Sequence, residues 1–313
     1  MSEIPRTLHY CFGMASDFGG KPWGLSHYVC VASAVARINP TQVNFYCEYE
    51  PSGPWWDITK PLVNLVRIKA PRSVFGNPID HPAHRADVVR LQALLRDGGI
   101  YLDTDVFVHR AFDPLLKHDV VLGAEGKSAQ FGTANAVLLS RANARFLERW
   151  MGHYRTFRGT AKSRWNEHSV RLPYLLSRQY PSEISIVDYR SFFWPLWTGS
   201  HLEWIFNSTR PCVFPETFAT HLWDGKSHRY TRDLTPGDVR SYDTNFHRWA
   251  TPFVKDLPDD YGLQGQRIPW KSRLPDGKER AMGAVLTIGR ALRARVALRK
   301  KPPSLHKIAE RTS

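Results

Sequence analysis

HRADVVRLQALLRDGGIYLDTDVF, residues 84–107, joins a helix, a glycine pair and a strand that ends in carboxylates. Val88, Leu91 and Leu95 recur at helical spacing and mark a core-facing side, which leaves Asp87 and Arg90, three apart, as a neighbouring polar pair. Gly98 and Gly99 supply a helix C-cap and a tight reversal. In the strand that follows, the two-residue period puts Ile100 and Leu102 on one face and Tyr101, Asp103 and Asp105 on the other. An extended chain holds the two aspartates about 6.6 Å apart, too far to share one ion without a bend, so they are expected to divide the work.

Working outward, β-rich runs at 7–12, 42–49, 65–70, 99–108, 119–125 and 135–140 alternate with helical stretches at 25–38, 84–97 and 142–157. That rhythm predicts an α/β fold, a Rossmann-like mixed sheet with flanking helices, whose ligands gather at the C-terminal ends of the strands. The expected organisation is a body over 1–265 and a basic C-terminal segment over 266–313. In that segment Met282, Val285, Leu286, Ile288, Leu292, Val296 and Leu298 form an apolar stripe beside Arg290, Arg293, Arg295 and Arg299.

The chain has 313 residues, 42% of them hydrophobic, which is enough for a large core and excludes global disorder. Its 43 Lys and Arg against 29 Asp and Glu give a net charge of +14, which favours a phosphorylated ligand, an anionic membrane or nucleic acid. Ten Lys or Arg and two acids fall within 271–301, so the body is only mildly basic. The closing helix suits reversible contact with an anionic inner membrane surface or, equally, an ordinary solvated helix. No signal-like or spanning apolar run is seen, so a cytoplasmic chain, at most peripheral on the membrane, is expected. Cys11, Cys30, Cys47 and Cys212 lack metal or disulfide spacing and read as buried thiols.

A carboxylate at a strand end suits a hard divalent ion, magnesium or manganese, and such an ion offsets the charge of a departing diphosphate. A lone DxD also occurs as a solvated strand end, so the surrounding block decides. Asp87, Arg90, the double glycine, Tyr101, Asp103 and Asp105 together resemble the DxD sugar-binding region of glycosyltransferase family 32. That group includes α-1,4-galactosyltransferase-like and yeast mannosyltransferase-like enzymes, and clostridial glucosylating toxins share its core arrangement. The resemblance implies an A-type glycosyltransferase fold, a hexosyl transfer with retention, and a nucleotide-sugar donor, with a UDP-sugar favoured. It also implies a glycan or lipid-linked acceptor of cell-surface polysaccharide or lipopolysaccharide synthesis.

By position, the resemblance makes Asp87, Arg90 and Asp103 binders of the donor, places Tyr101 in the donor pocket and gives Asp105 to the metal. IPRTLHYCFG, residues 4–13, resembles the family's first strand, with Phe12 where a base-stacking Trp stands. FATHLWDGKSHRY, residues 218–230, resembles its late H-x-W-x-x-S-W strand, offering His221 to the metal and Trp223 and Ser227 as further candidates. One extra residue separates Trp223 from Ser227, and His228 replaces the second Trp. In FGTANAVLLS, residues 131–140, Asn135 is a further cleft candidate or a turn residue. The competing reading is a basic nucleic-acid-binding protein without catalytic activity. The strand-end carboxylates would repel such a ligand, so no nucleic-acid partner is expected.

Overall fold

A computed structural model describes residues 3–127, 131–159 and 165–263; the basic segment 266–313, with its expected amphipathic helix, lies outside them. The strands are β1 (Thr7–Cys11), β2 (Gln42–Cys47), β3 (Asn64–Arg67), β4 (Ser73–Val74), β5 (Asn77–Pro78), β6 (Gly99–Leu102), β7 (Val106–Val108), β8 (Val120–Ala124), β9 (Thr133–Ser140), β10 (Ser185–Val187) and β11 (Ala219–His221). The helices are α1 (Leu25–Ile38), α2 (Pro54–Thr59), α3 (Pro82–Asp97), α4 (Arg145–His153), α5 (Leu172–Gln179), α6 (Gly199–Asn207), α7 (Asp224–Thr231), α8 (Pro236–Ser241) and α9 (Asn245–Val254).

Seven strands form one sheet in the order β10-β8-β9-β6-β1-β2-β3. All neighbours run parallel except β9, which is antiparallel to both β6 and β8. This is the α/β mixed sheet with flanking helices that the alternating pattern predicts. Its two faces are filled by alternate residues of the same strands. Leu8 and Tyr10 of β1 and Ile100 and Leu102 of β6 join the α1 side with Val29, Val31 and Ala34. Tyr101 turns to the other side, among Val88, Leu91 and Leu94 of α3 and Phe146, Leu147 and Trp150 of α4.

The glycine pair is needed where α3 turns into β6. Gly98 and Gly99 have φ of 64° and 111°, and a Cβ would stand 2.7 Å from the Ala142 nitrogen or 2.4 Å from the Thr7 carbonyl oxygen. The single strand expected over 99–108 is not formed. β6 stops at Leu102, residues 103–105 turn, and β7 leaves to pair antiparallel with β11, His221 opposite Val106. The helix expected over 142–157 is also shorter: α4 ends at His153 and a 3-10 turn follows over Tyr154–Thr156. All four cysteines are free and buried, as expected.

One half-buried histidine should make the fold acid-sensitive. His109 on the β7 side holds Thr220 Oγ1 at 2.9 Å through Nε2 and packs edge-on against Trp249, and burial pushes its pKa from 6.5 down to about 3. With the folded value below the unfolded one, the unfolded chain binds the extra proton, so stability is intact above pH 6.5 and falls as the pH drops toward 3. Lowering the pH from 7 to 5 should cost about 1–2 kcal/mol through this group. Chemical denaturation at the two pH values should show the loss in the wild type and a smaller one in His109→Gln.

Candidate active site

The turn after β6 supplies the bend that an extended strand lacks. The Val106 N–H donates to the Asp103 carbonyl at 3.1 Å, and the Asp103 N–H to Ala136 at 2.8 Å, which ties the turn to β9. One ligand atom each from Asp103, Asp105 and His221 consequently lies within 4.8 Å of the others. The two aspartates thus meet at one point instead of acting at separate ones.

Asp103 is braced from α3 and β6. The Tyr101 hydroxyl donates to Asp103 Oδ1 at 2.7 Å, and Arg90 Nη1 lies 3.1 Å from the same oxygen. Arg90 also donates to the Asn135 carbonyl at 2.7 Å, lies 3.3 Å from Asp87 Oδ1 and stacks its guanidinium 4.2 Å over the Tyr101 ring. Asp87 receives the Asn135 amide at 2.7 Å on one oxygen and meets His84 Nδ1 at 3.2 Å on the other. Asp87, Arg90 and Tyr101 are buried, whereas the Asp103 side chain is 29% exposed, so Asp103 is the member of this group that meets a ligand most directly. Burial pushes the Asp103 carboxyl up against the pull of Arg90; Asp87 is also pushed up by burial, but Arg90 and His84 outweigh that and hold it below the usual range.

Asp105 organises the other half. Its Oδ1 lies 3.1 Å from His221 Nε2, its Oδ2 accepts the Asp224 N–H at 2.7 Å where α7 begins, and its backbone carbonyl accepts the Leu222 N–H at 2.8 Å. Burial disfavours both charges, yet the Asp105–His221 attraction wins, lowering the Asp105 pKa and raising that of His221. Next to them Asp224 pairs with Lys21 at 2.8 Å and His228 at 3.5 Å, which keeps it ionised in spite of burial. Two carboxylates and an imidazole converging on a partly open point form a donor set that could hold a divalent metal ion. His221 Nδ1 is buried without a hydrogen-bond partner among the described residues, so the ring's polar contact there is through the nitrogen that faces Asp105.

The remaining sequence candidates divide. Asn135 belongs to the network through Asp87. Trp223 starts α7 beside His221, ring centroids 4.2 Å apart, with its indole N–H bound to the Pro195 carbonyl at 2.9 Å. Ser227 is fully buried on α7 with no partner for its hydroxyl among the described residues. Phe12 is half-buried and stacks on Phe18 at 5.6 Å with Trp23 edge-on at 5.0 Å, so its ring is covered in this conformation. Three residues went unread in the sequence. His84 grips Asp87, and only its i, i+3 spacing to Asp87 could have signalled this. Asp224 is reached through a left-handed Trp223, φ 58°, that no pattern announces. Glu125, just beyond β8, is pushed up to about 7 by burial, with His221 pulling the other way.

The match to known families spans the same block. Residues 37–122 fit the glycosyltransferase sugar-binding region containing a DXD motif. Glucan organizing enzyme 1 of Cryptococcus neoformans var. grubii is 35% identical over 269 residues, 82% of this chain and 72% of that protein. The chain belongs to the DXD glycosyltransferases. This membership makes it an enzyme and favours the transferase over the binding-protein reading. Among solved structures, the galactosyltransferase LgtC with donor and acceptor sugar analogs is 13% identical over 86% of this chain and 100% of that one, with a TM-score of 0.42. Mouse xyloside xylosyltransferase 1 is 10% identical over 70% of this chain and 98% of that one, with a TM-score of 0.43.

Proposed function

We propose that this DXD glycosyltransferase is metal-dependent and moves a hexose from a nucleotide-sugar, a UDP-sugar in preference, to a glycan or glycolipid acceptor, with retention. The observation that carries the reading is the meeting of Asp103, Asp105 and His221 within 4.8 Å at the end of β6. A divalent ion held there supplies Lewis-acid neutralisation of the charge that gathers on the leaving diphosphate. Asp103 faces the donor from a carboxylate fixed by Tyr101 and Arg90, and the fixed geometry spares reorganisation during transfer. Asp87, Asn135 and His84 keep Arg90 aimed. Lys21 pairs with Asp224 where α7 begins, which puts a cation at the edge of the carboxylate cluster. The Cryptococcus relative's name refers to glucan, which supports a polysaccharide among the proposed acceptors.

Release of UDP from UDP-glucose or UDP-galactose tests this. It should fall to background in chelator and return with added manganese. Release that proceeds equally well in chelator would contradict a metal-dependent site.

A further inference from the structure

We propose that a polar cavity on α6 is a second glycan-binding site, which holds the distal sugars of a neutral oligosaccharide whose near end reaches the metal cluster. The inference rests on the glycan-acceptor reading above and adds where the rest of that acceptor lies.

The cavity, about 510 Å³, is lined by Ser200, Glu203, Trp204 and Asn207 of α6 and by Ser208 and Arg210 of the turn that follows. The four helical residues recur at three and four positions and so share one side of α6, while Leu202, Ile205 and Phe206 enter the core. The turn is fixed from beneath by buried Asn245. Its side-chain amide donates to the carbonyls of Trp204 at 2.9 Å, Ser208 at 3.1 Å and Arg210 at 2.7 Å, and its backbone N–H to that of Ser208 at 3.0 Å. The Trp204 indole N–H donates to the Arg210 carbonyl at 2.9 Å, and the Arg210 N–H to Ser208 Oγ at 3.1 Å. The walls are therefore set before any ligand arrives, which lowers the ordering cost of binding.

The lining selects the ligand. Glu203 accepts the Asn207 amide at 3.1 Å on one carboxylate oxygen and the Tyr230 hydroxyl at 3.2 Å on the other, which fixes the Asn207 side chain. Asn207 Oδ1 is left without a hydrogen-bond partner among the described residues, so this acceptor calls for a donor. The Arg210 guanidinium sits 5.8 Å over the Trp204 ring. One carboxylate and one guanidinium in the same cavity favour neither a polyanion nor a polycation. A sugar presents hydroxyls that both donate and accept, and an apolar C–H face that suits an indole.

Two connections tie the cavity to the metal cluster. Trp194 packs edge-on against Trp204, centroids 5.4 Å apart, and the adjoining Pro195 carbonyl holds the indole of Trp223, whose ring lies 4.2 Å from that of His221. Along α7, the Asp224 N–H binds Asp105 at one end, and Tyr230 reaches Glu203 from about 9 Å further along the axis. That interval exceeds one sugar ring, so the ligand is a chain and not a monosaccharide.

Calorimetric titration of wild type, Asn207→Ala and Arg210→Ala with glucose, maltoheptaose and laminariheptaose, without donor, tests this. Wild type should bind at least one heptasaccharide and bind it more tightly than glucose. Asn207→Ala should weaken that binding about tenfold and Arg210→Ala about threefold, while manganese-dependent UDP binding stays within about two-fold of wild type. Arg210 is exposed, so its variant remains a test even if Asn207→Ala melts early. Heptasaccharide binding at the wild-type level in both variants overturns the proposal, and so does a loss of UDP binding alongside it, which makes the residues structural. A wild type that binds UDP with manganese but neither heptasaccharide overturns this proposal alone. Equal UDP binding in chelator would instead sink the metal-dependent donor reading.

Discussion

Asp105→Ala should lose metal-dependent donor turnover by at least about three orders of magnitude, because several kcal/mol of charge stabilisation leave with the ligand and each 1.36 kcal/mol is tenfold in rate. The fold should survive. Besides facing His221, Asp105 accepts the N–H that opens α7, so its removal costs one capping interaction, about 1 kcal/mol, read as a shift in thermal unfolding. Asp105→Asn separates the two roles: its amide oxygen can still accept the Asp224 N–H, but it brings no charge. Its melting temperature should therefore recover towards wild type while its turnover stays low. Turnover near the wild-type level in either variant would remove Asp105 from the chemistry.

The second large effect falls on stability. Arg90 is buried with two carboxylates against it, Asp87 at 3.3 Å and Asp103 at 3.1 Å, and it also satisfies the Asn135 carbonyl and stacks on Tyr101. Arg90→Ala strands those charges and should destabilise the protein by about 3–5 kcal/mol, together with loss of turnover. Arg90→Lys keeps the charge but not the planar fork that reaches several acceptors at once, and should fall between. Adding Asp87→Asn to Arg90→Ala should recover part of the loss, since one uncompensated charge is removed with its partner. Urea denaturation of the four proteins measures this. A single Arg90→Ala within 1 kcal/mol of wild type would show that the network does not hold the site together.

Period and punctuation made the frame legible. The two faces of β6, the polar pair three apart on α3 and the glycine stop all lie where residue spacing puts them, since local sterics and burial set them. The break at residues 103–105 was not legible, because the stretch 99–108 reads as one apolar-rich run and only the pairing of β7 with β11, more than a hundred residues on, pulls it out of the main sheet. The same long-range pairing brings His221 to Asp105. Family resemblance had indicated His221, but its spacing alone could not, and Glu125 carried no signal because a glutamate after a buried strand reads as an ordinary strand end. Phe12 shows the converse: its position was clear from the first strand, but not its cover by Phe18, which depends on a loop with positive φ at Gly13, Phe18, Gly19 and Gly20.

The most direct test of the central claim is calorimetric titration of UDP into wild type and Asp105→Ala, each with manganese and with chelator. The account predicts tight binding only when wild type and manganese are combined, with the other three mixtures at least about tenfold weaker. Equal affinity in all four would contradict a metal-bound diphosphate site at Asp103, Asp105 and His221.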